Sequence, residues 1–144
     1  MERDTQLSSL FRWAMNLAFI LEDDECQRFL FKTRLESIGF SVDTCTNVLE
    51  AKHDFKRKGD SYKAYFLDMK VPEMPGGEPT YVGGLEVRGH LLHNGVDSDR
   101  IYLMSADVSH NDELVAKEYG VSPKQIIAKD YFTERTLKEL LEKK

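Results

Sequence analysis

Apolar residues in this chain fall into short continuous runs, separated by longer stretches in which they recur every three or four positions. Leu17-Ala18-Phe19-Ile20-Leu21 is the first run and Tyr62-Lys63-Ala64-Tyr65-Phe66-Leu67 the second. Runs of this length, rich in aromatic and aliphatic residues, suit buried strands of a parallel sheet. Arg100-Ile101-Tyr102-Leu103-Met104 and Gln125-Ile126-Ile127-Ala128 read the same way. Phe40-Ser41-Val42-Asp43-Thr44-Cys45 instead alternates, as a half-buried or edge strand does.

The intervening stretches have helical periodicity. Gln27, Leu30, Phe31, Arg34, Leu35 and Ile38 mark a first helix, and Gly39 supplies its stop. A second helix is expected from about Asn47 to Lys58, with Val48, Leu49, Ala51 and Phe55 as its apolar side. A third spans Leu85 to His93, with Leu85, Arg88, Gly89 and Leu92 on one face. A fourth spans Asn111 to Tyr119, and a fifth is capped by Thr133. Residues 1–16, with Leu7, Leu10, Phe11, Trp13, Ala14 and Met15 among polar residues, form an extension. Ser8 or Ser9 would cap a short helix there, which would pack on the body or join a homodimer contact. Five strands alternating with helices predict a doubly wound α/β domain over residues 17–144. Residues 71–84 hold three of the four prolines and four of the nine glycines, and read as a long loop without periodicity.

Composition narrows the class. A chain of 144 residues suits one domain with an adequate core. A net charge of −5 and the lack of a basic stripe argue against nucleic-acid binding. No apolar run approaches the ~20 residues that cross a membrane, and Glu2 and Asp4 are out of place in a signal peptide. Cys26 and Cys45 lack metal-binding or CxxC spacing, so two free thiols and a cytoplasmic location are expected. His90 and His93 lie three apart with no third ligand nearby, and read as ordinary helix residues.

The candidate chemistry sits where the strands stop. Glu22, Asp23 and Asp24 follow the first strand, Asp68 ends the third, Ser105 the fourth and Lys129 the fifth. In a parallel sheet these ends share one edge, where open α/β sheets bind ligands. Adjacent acids repel unless a cation lies among them, and an all-oxygen donor set suits Mg2+ (or Mn2+). Each acid also has a structural reading, as a helix cap or as a partner of the helix dipole. Together they make a coherent set: a divalent cation to neutralise phosphoryl oxygens, an aspartate to attack phosphorus, and a hydroxyl and an ammonium to hold the remaining oxygens.

The motifs ILEDDE (20–25), FLDMKVPEM (66–74), GGLEV (83–87), LMSA (103–106) and IIAKDYF (126–132) resemble those of the receiver domain of two-component response regulators. The resemblance implies a flavodoxin-like fold: a five-stranded parallel sheet in order 2-1-3-4-5, flanked by five helices in three αβα layers. It implies a signalling phosphoacceptor rather than an enzyme. A sensor histidine kinase, a histidine phosphotransfer protein or a small phosphodonor would phosphorylate Asp68, and output would run through protein contacts with an unknown downstream partner. The metal set implied is Glu22, Asp23, Asp68 and the backbone carbonyl of Lys70. In the family the second acid usually stands sixteen residues before the glycine that closes the first helix, and counting back from Gly39 gives Asp23. A slip of one would make the pair Asp23 and Asp24. Ser105, Ala106 and Lys129 would contact the phosphoryl group, with Asp24 and Asp107 as secondary candidates.

Three features depart from the family pattern. Asp130 replaces the proline after the lysine, so a cis peptide is not expected there. Ile126 stands where an aromatic switch residue is common, and the loop is longer by about eight residues, 75–82. They leave open a pseudo-receiver, the same fold acting as a phosphorylation-independent interaction module. A haloacid-dehalogenase-type phosphatase is disfavoured, because it would need a second aspartate where Lys70 stands and a nucleophile after the first strand.

Overall fold

The structure, a computed structural model, describes residues 16–106, 114 and 117–142. Strand β1 (Asn16–Leu21) leads into helix α1 (Glu25–Ser37), β2 (Phe40–Cys45), α2 (Val48–Lys58) and β3 (Ala64–Asp68). A hairpin of two short strands, β4 (Val71–Pro72) and β5 (Pro79–Thr80), precedes α3 (Gly83–His93). Then come β6 (Ile101–Ser105), β7 (Ile126–Ala128) and α4 (Glu134–Glu142). Four α-helices are thus complete among the described residues, against five expected. Of the helix expected over 111–119, Leu114, Lys117 and Glu118 are described as helical. The rest of that helix, the extension before Asn16, and Asp107 lie outside the described residues.

The five main strands are all parallel, in order β2-β1-β3-β6-β7. With the small hairpin set aside, this is the expected order 2-1-3-4-5. Alternation along β1 sends Ala18 and Ile20 to one face and Phe19 and Leu21 to the other. On the first face Phe31 and Leu35 of α1 meet Phe66, Tyr102, Phe132 and Leu137 of α4. On the second, Val48 and Ala51 of α2 meet Leu85, Val87 and Leu91 of α3. The result is three layers, with β2 as a half-buried edge.

Several details differ from the sequence expectation. Leu49 and Leu30 are exposed, because α2 turns Val48 and Ala51 inward and α1 turns Phe31 and Leu35. On α3 the buried stripe is Gly84, Leu85, Val87 and Leu91, and Gly89 faces out. The stretch 71–84 is not a structureless loop. Val71 and Pro72 pair antiparallel with Thr80 and Pro79, and Thr80 Oγ1 donates to Val71 O at 3.2 Å. The hairpin is tied to α2 where Leu49 N–H donates to Glu73 O at 2.9 Å, and the Lys52–Glu86 ion pair at 2.9 Å joins α2 to α3 beside it.

Among the described residues no helix is long and apolar enough to cross a membrane, and no peptide bond is cis, the Lys129–Asp130 bond included. Cys26 is exposed and Cys45 buried, both as free thiols.

Candidate functional site

The order of the strands reverses beside β1, and the site lies there, at the C-terminal ends of β1 and β3. The buried hydrophobic run of β1 carries Glu22 into the interior, where it is fully buried. Its backbone N–H donates to Cys45 O at 3.0 Å, and its carbonyl accepts from Arg28 Nη1 at 3.1 Å. Asp23, next along, is only partly buried. Asp24 turns away to cap α1, its Oδ1 accepting from Gln27 N–H at 2.8 Å. Asp68 ends β3 and is nearly buried, with Oδ1 accepting from the Lys70 N–H at 3.2 Å. Carboxylate oxygens of Glu22, Asp23 and Asp68 all lie within 4.8 Å of one another.

Lys129, in the turn after β7, reaches into this group. Its ammonium donates to Asp68 Oδ2 at 3.0 Å and to Gln27 Oε1 at 2.8 Å. It also lies 2.8 Å from Glu22 Oε1, but off the direction of a hydrogen bond, so that buried oxygen has charge nearby and no aligned donor. Burial, then the adjacent Asp68, pushes the Glu22 carboxyl up to about 8. Burial alone would lower the Lys129 ammonium, but the charges of Asp68 and Glu22 outweigh it and hold its pKa above the ordinary lysine value.

Ser105 closes β6 and pairs in register with Ala128, one residue before Lys129. It is buried, while Ala106 is exposed. Met69 N–H donates to Met104 O at 3.2 Å, which holds the end of β3 against the end of β6. The Lys70 side chain leaves the carboxylates and lies over the Tyr81 ring, 4.6 Å from its centre. Helix α3 seats against the same loop, Gly84 N–H donating to Met69 O at 3.2 Å.

The structure therefore brings Glu22, Asp23, Asp68 and Lys129 together, and gives Asp24 to the helix. Gln27, Arg28 and Tyr81 were not singled out as site residues from the sequence. Gln27 reads there as one position in the helical repeat of α1, and nothing local marks it as the partner of a lysine 102 residues away.

The residues present fit a hard divalent cation. The donors are all oxygen, three carboxylates converge, and a buried Glu22 oxygen lacks an aligned donor.

Neither a protein-family model nor a curated protein matches this chain. Solved structures do. A response-regulator receiver domain protein from Clostridium thermocellum superposes with a TM-score of 0.70 at 15% identity, covering 90% of this chain and 93% of that one. A response-regulator receiver protein from Sinorhizobium medicae gives 0.68 at 18% identity, over 90% and 93%. A CheY-like receiver domain protein from Methanospirillum hungatei gives 0.63 at 20% identity, over 90% and 92%. The fold of this chain is that of the response-regulator receiver domains.

Proposed function

We propose that this chain is a phosphoacceptor switch in which Asp68 takes a phosphoryl group from a histidine kinase, a histidine phosphotransfer protein or a small phosphodonor. The observation that carries the reading is the convergence of Glu22, Asp23 and Asp68, with a lysine in contact with Glu22 and Asp68. A carboxylate oxygen of Asp68 attacks phosphorus. The bond from phosphorus to the donor's imidazole nitrogen, or to the acyl oxygen of acetyl phosphate, breaks with its electron pair leaving on the donor. Glu22, Asp23 and Asp68, with the Lys70 carbonyl, would hold Mg2+, which neutralises phosphoryl oxygens when bound. Lys129 follows the charge from the carboxylate to a phosphoryl oxygen, and the Ser105 hydroxyl donates to another, with Ala106 leaving room. The added charge biases loops at this edge, and a downstream protein reads the change.

The test is incubation with acetyl phosphate and Mg2+, followed by intact-mass measurement. The expected result is a gain of one phosphate, absent in Asp68→Ala and absent without the metal. No gain in the unmodified protein under any condition overturns the reading.

One observation favours a second reading, a pseudo-receiver acting as an interaction module. Lys129 already stands between Glu22 and Asp68, so the buried charges are compensated by the protein itself. A Mg2+ titration separates the two, since a retired site binds the ion weakly.

A further inference from the structure

The ammonium of Lys129 faces three acceptors, and they are not of one kind. Asp68 Oδ2 at 3.0 Å and Glu22 Oε1 at 2.8 Å both belong to acids of the candidate metal site. The third, Gln27 Oε1 at 2.8 Å, is uncharged and stands outside that cluster. A lysine ammonium only donates, so the amide has to turn its oxygen, not its nitrogen, toward it.

Local structure fixes where that amide starts. Asp24 caps α1 by accepting from the Gln27 N–H at 2.8 Å, and the Arg28 N–H donates to Asp24 O at 2.9 Å. Arg28 Nη1 in turn donates to Glu22 O at 3.1 Å. The first turn of α1 is thus fastened to the loop that carries the acids, and Gln27 stands half-buried on it.

The chemistry proposed above alters the other two contacts. A divalent cation among Glu22, Asp23 and Asp68 competes for their oxygens and repels a neighbouring ammonium. Phosphoryl transfer turns the Asp68 carboxylate into an acyl phosphate, which ends the charge that Lys129 faces there. The Gln27 amide is changed by neither event.

We propose that Gln27 is the positioning residue of Lys129, a neutral anchor that keeps the ammonium beside Asp68 when the cation enters and when the phosphoryl group arrives. Without that anchor the ammonium swings out on its flexible four-carbon stem. The inference rests on the phosphoacceptor reading and adds to it a residue that touches neither metal nor phosphorus.

The test compares the unmodified chain with Gln27→Leu and Gln27→Glu, the second of which keeps an oxygen at the same reach. Calorimetric titration gives the Mg2+ affinity of each, and intact-mass time courses with acetyl phosphate at saturating Mg2+ give the rates. Gln27→Leu should bind Mg2+ no more weakly than the unmodified chain, yet take up phosphate about tenfold more slowly. Gln27→Glu should recover most of that rate. In a Lys129→Met background the further change Gln27→Leu should alter the rate less than about twofold, since interacting residues are non-additive. If Lys129→Met fails to fold, the contrast between Gln27→Leu and Gln27→Glu still decides.

Equal rates in Gln27→Leu and the unmodified chain overturn the proposal. So does a rate lost in step with Mg2+ affinity, which would make Gln27 a support of the acids, or a full tenfold loss that persists without Lys129. In each of these cases the unmodified chain still gains its phosphate and the phosphoacceptor reading stands. No gain in the unmodified chain overturns both.

Discussion

A side chain on residue 84 would overlap the carbonyl oxygen of Asp68, and its Cβ would come within 3.0 Å of Met69 Cα. Glycine at this position lets α3 seat directly on the backbone that carries the candidate nucleophile. The neighbouring Gly83 faces the same constraint, with a Cβ there 2.6 Å from Val71 O. Gly84→Ala must push either the helix or the loop aside, because the obstacle is backbone. It is expected to destabilise the fold by about 2–3 kcal/mol, in the range of overpacked cores, and to impair phosphorylation. Gly89→Ala is the control. Its Cβ meets nothing within 4 Å in the same helix, so a gain of about 0.5–1 kcal/mol is expected. Urea unfolding of both variants measures the difference.

Lys129 holds two buried carboxylates, so its removal should be costly. Lys129→Met leaves Glu22 and Asp68 facing each other without a cation. A loss of about 3 kcal/mol or more is expected at pH 9.5 without metal, as for a buried pair deprived of one partner. At pH 6 the loss should be smaller, since Glu22 is then protonated with or without Lys129 and only one of the charges remains. Saturating Mg2+ should restore part of the stability at pH 9.5. Equal losses at the two pH values would contradict the electrostatic account.

The raised pKa of Glu22 sets a pH window. An ordinary glutamate loses its proton near 4.5, whereas burial and Asp68 keep the folded one up to about 8. Between these values the folded state binds a proton that the unfolded chain has released. Stability without metal therefore falls as pH rises from about 5 to 8, by at most about 1.4 kcal/mol per unit. The upward shift of Lys129 acts above its ordinary 10.5 and leaves this window untouched. A bound cation must displace the Glu22 proton, so Mg2+ affinity should climb up to about tenfold per pH unit and level off above 8. Calorimetric titrations between pH 6 and 9 would show this, and a flat profile would refute it.

Tyr81, carried by the segment that lengthens the loop, holds the Lys70 ammonium by a cation–π contact. Such a contact at an exposed site contributes about 0.5–1 kcal/mol. We expect Lys70 to hinder the water that hydrolyses the aspartyl phosphate, so Lys70→Asn should shorten its lifetime. Tyr81→Leu should move the lifetime by a few-fold, and Tyr81→Phe, which keeps the ring, should not. Adding Tyr81→Leu to Lys70→Asn should then change nothing further. The decay of the phosphorylated mass with time gives all four values. An unaltered lifetime in Lys70→Asn would rule the idea out.

The positions of Glu22, Asp68, Ser105 and Lys129 at strand ends were legible in the sequence. Each follows a buried apolar run, and parallel strands joined by helices put all their C-terminal ends on one edge. The doubly wound α/β pattern and the edge character of β2 followed from the same periodicities. The hairpin within 71–84 was not legible, because its two strands are two residues each and pairing, not periodicity, defines them. The inward sides of α2 and α3 were misread at Leu49 and Gly89, since a short helix with few apolar residues fits more than one rotation and only the facing core selects among them.

By itself, then, the sequence determined where the five main strands and the helices between them form and which chemical groups end those strands, for both depend on neighbours a few residues apart. The tertiary structure alone decided that Asp24 caps a helix while Glu22 is buried, and that Tyr81 takes the Lys70 ammonium. It also decided that Lys129 meets Gln27 and Asp68, which lie 102 and 61 residues away in the chain. Those contacts depend on how whole elements approach one another, and that approach is set by packing of the core between them rather than by any local pattern.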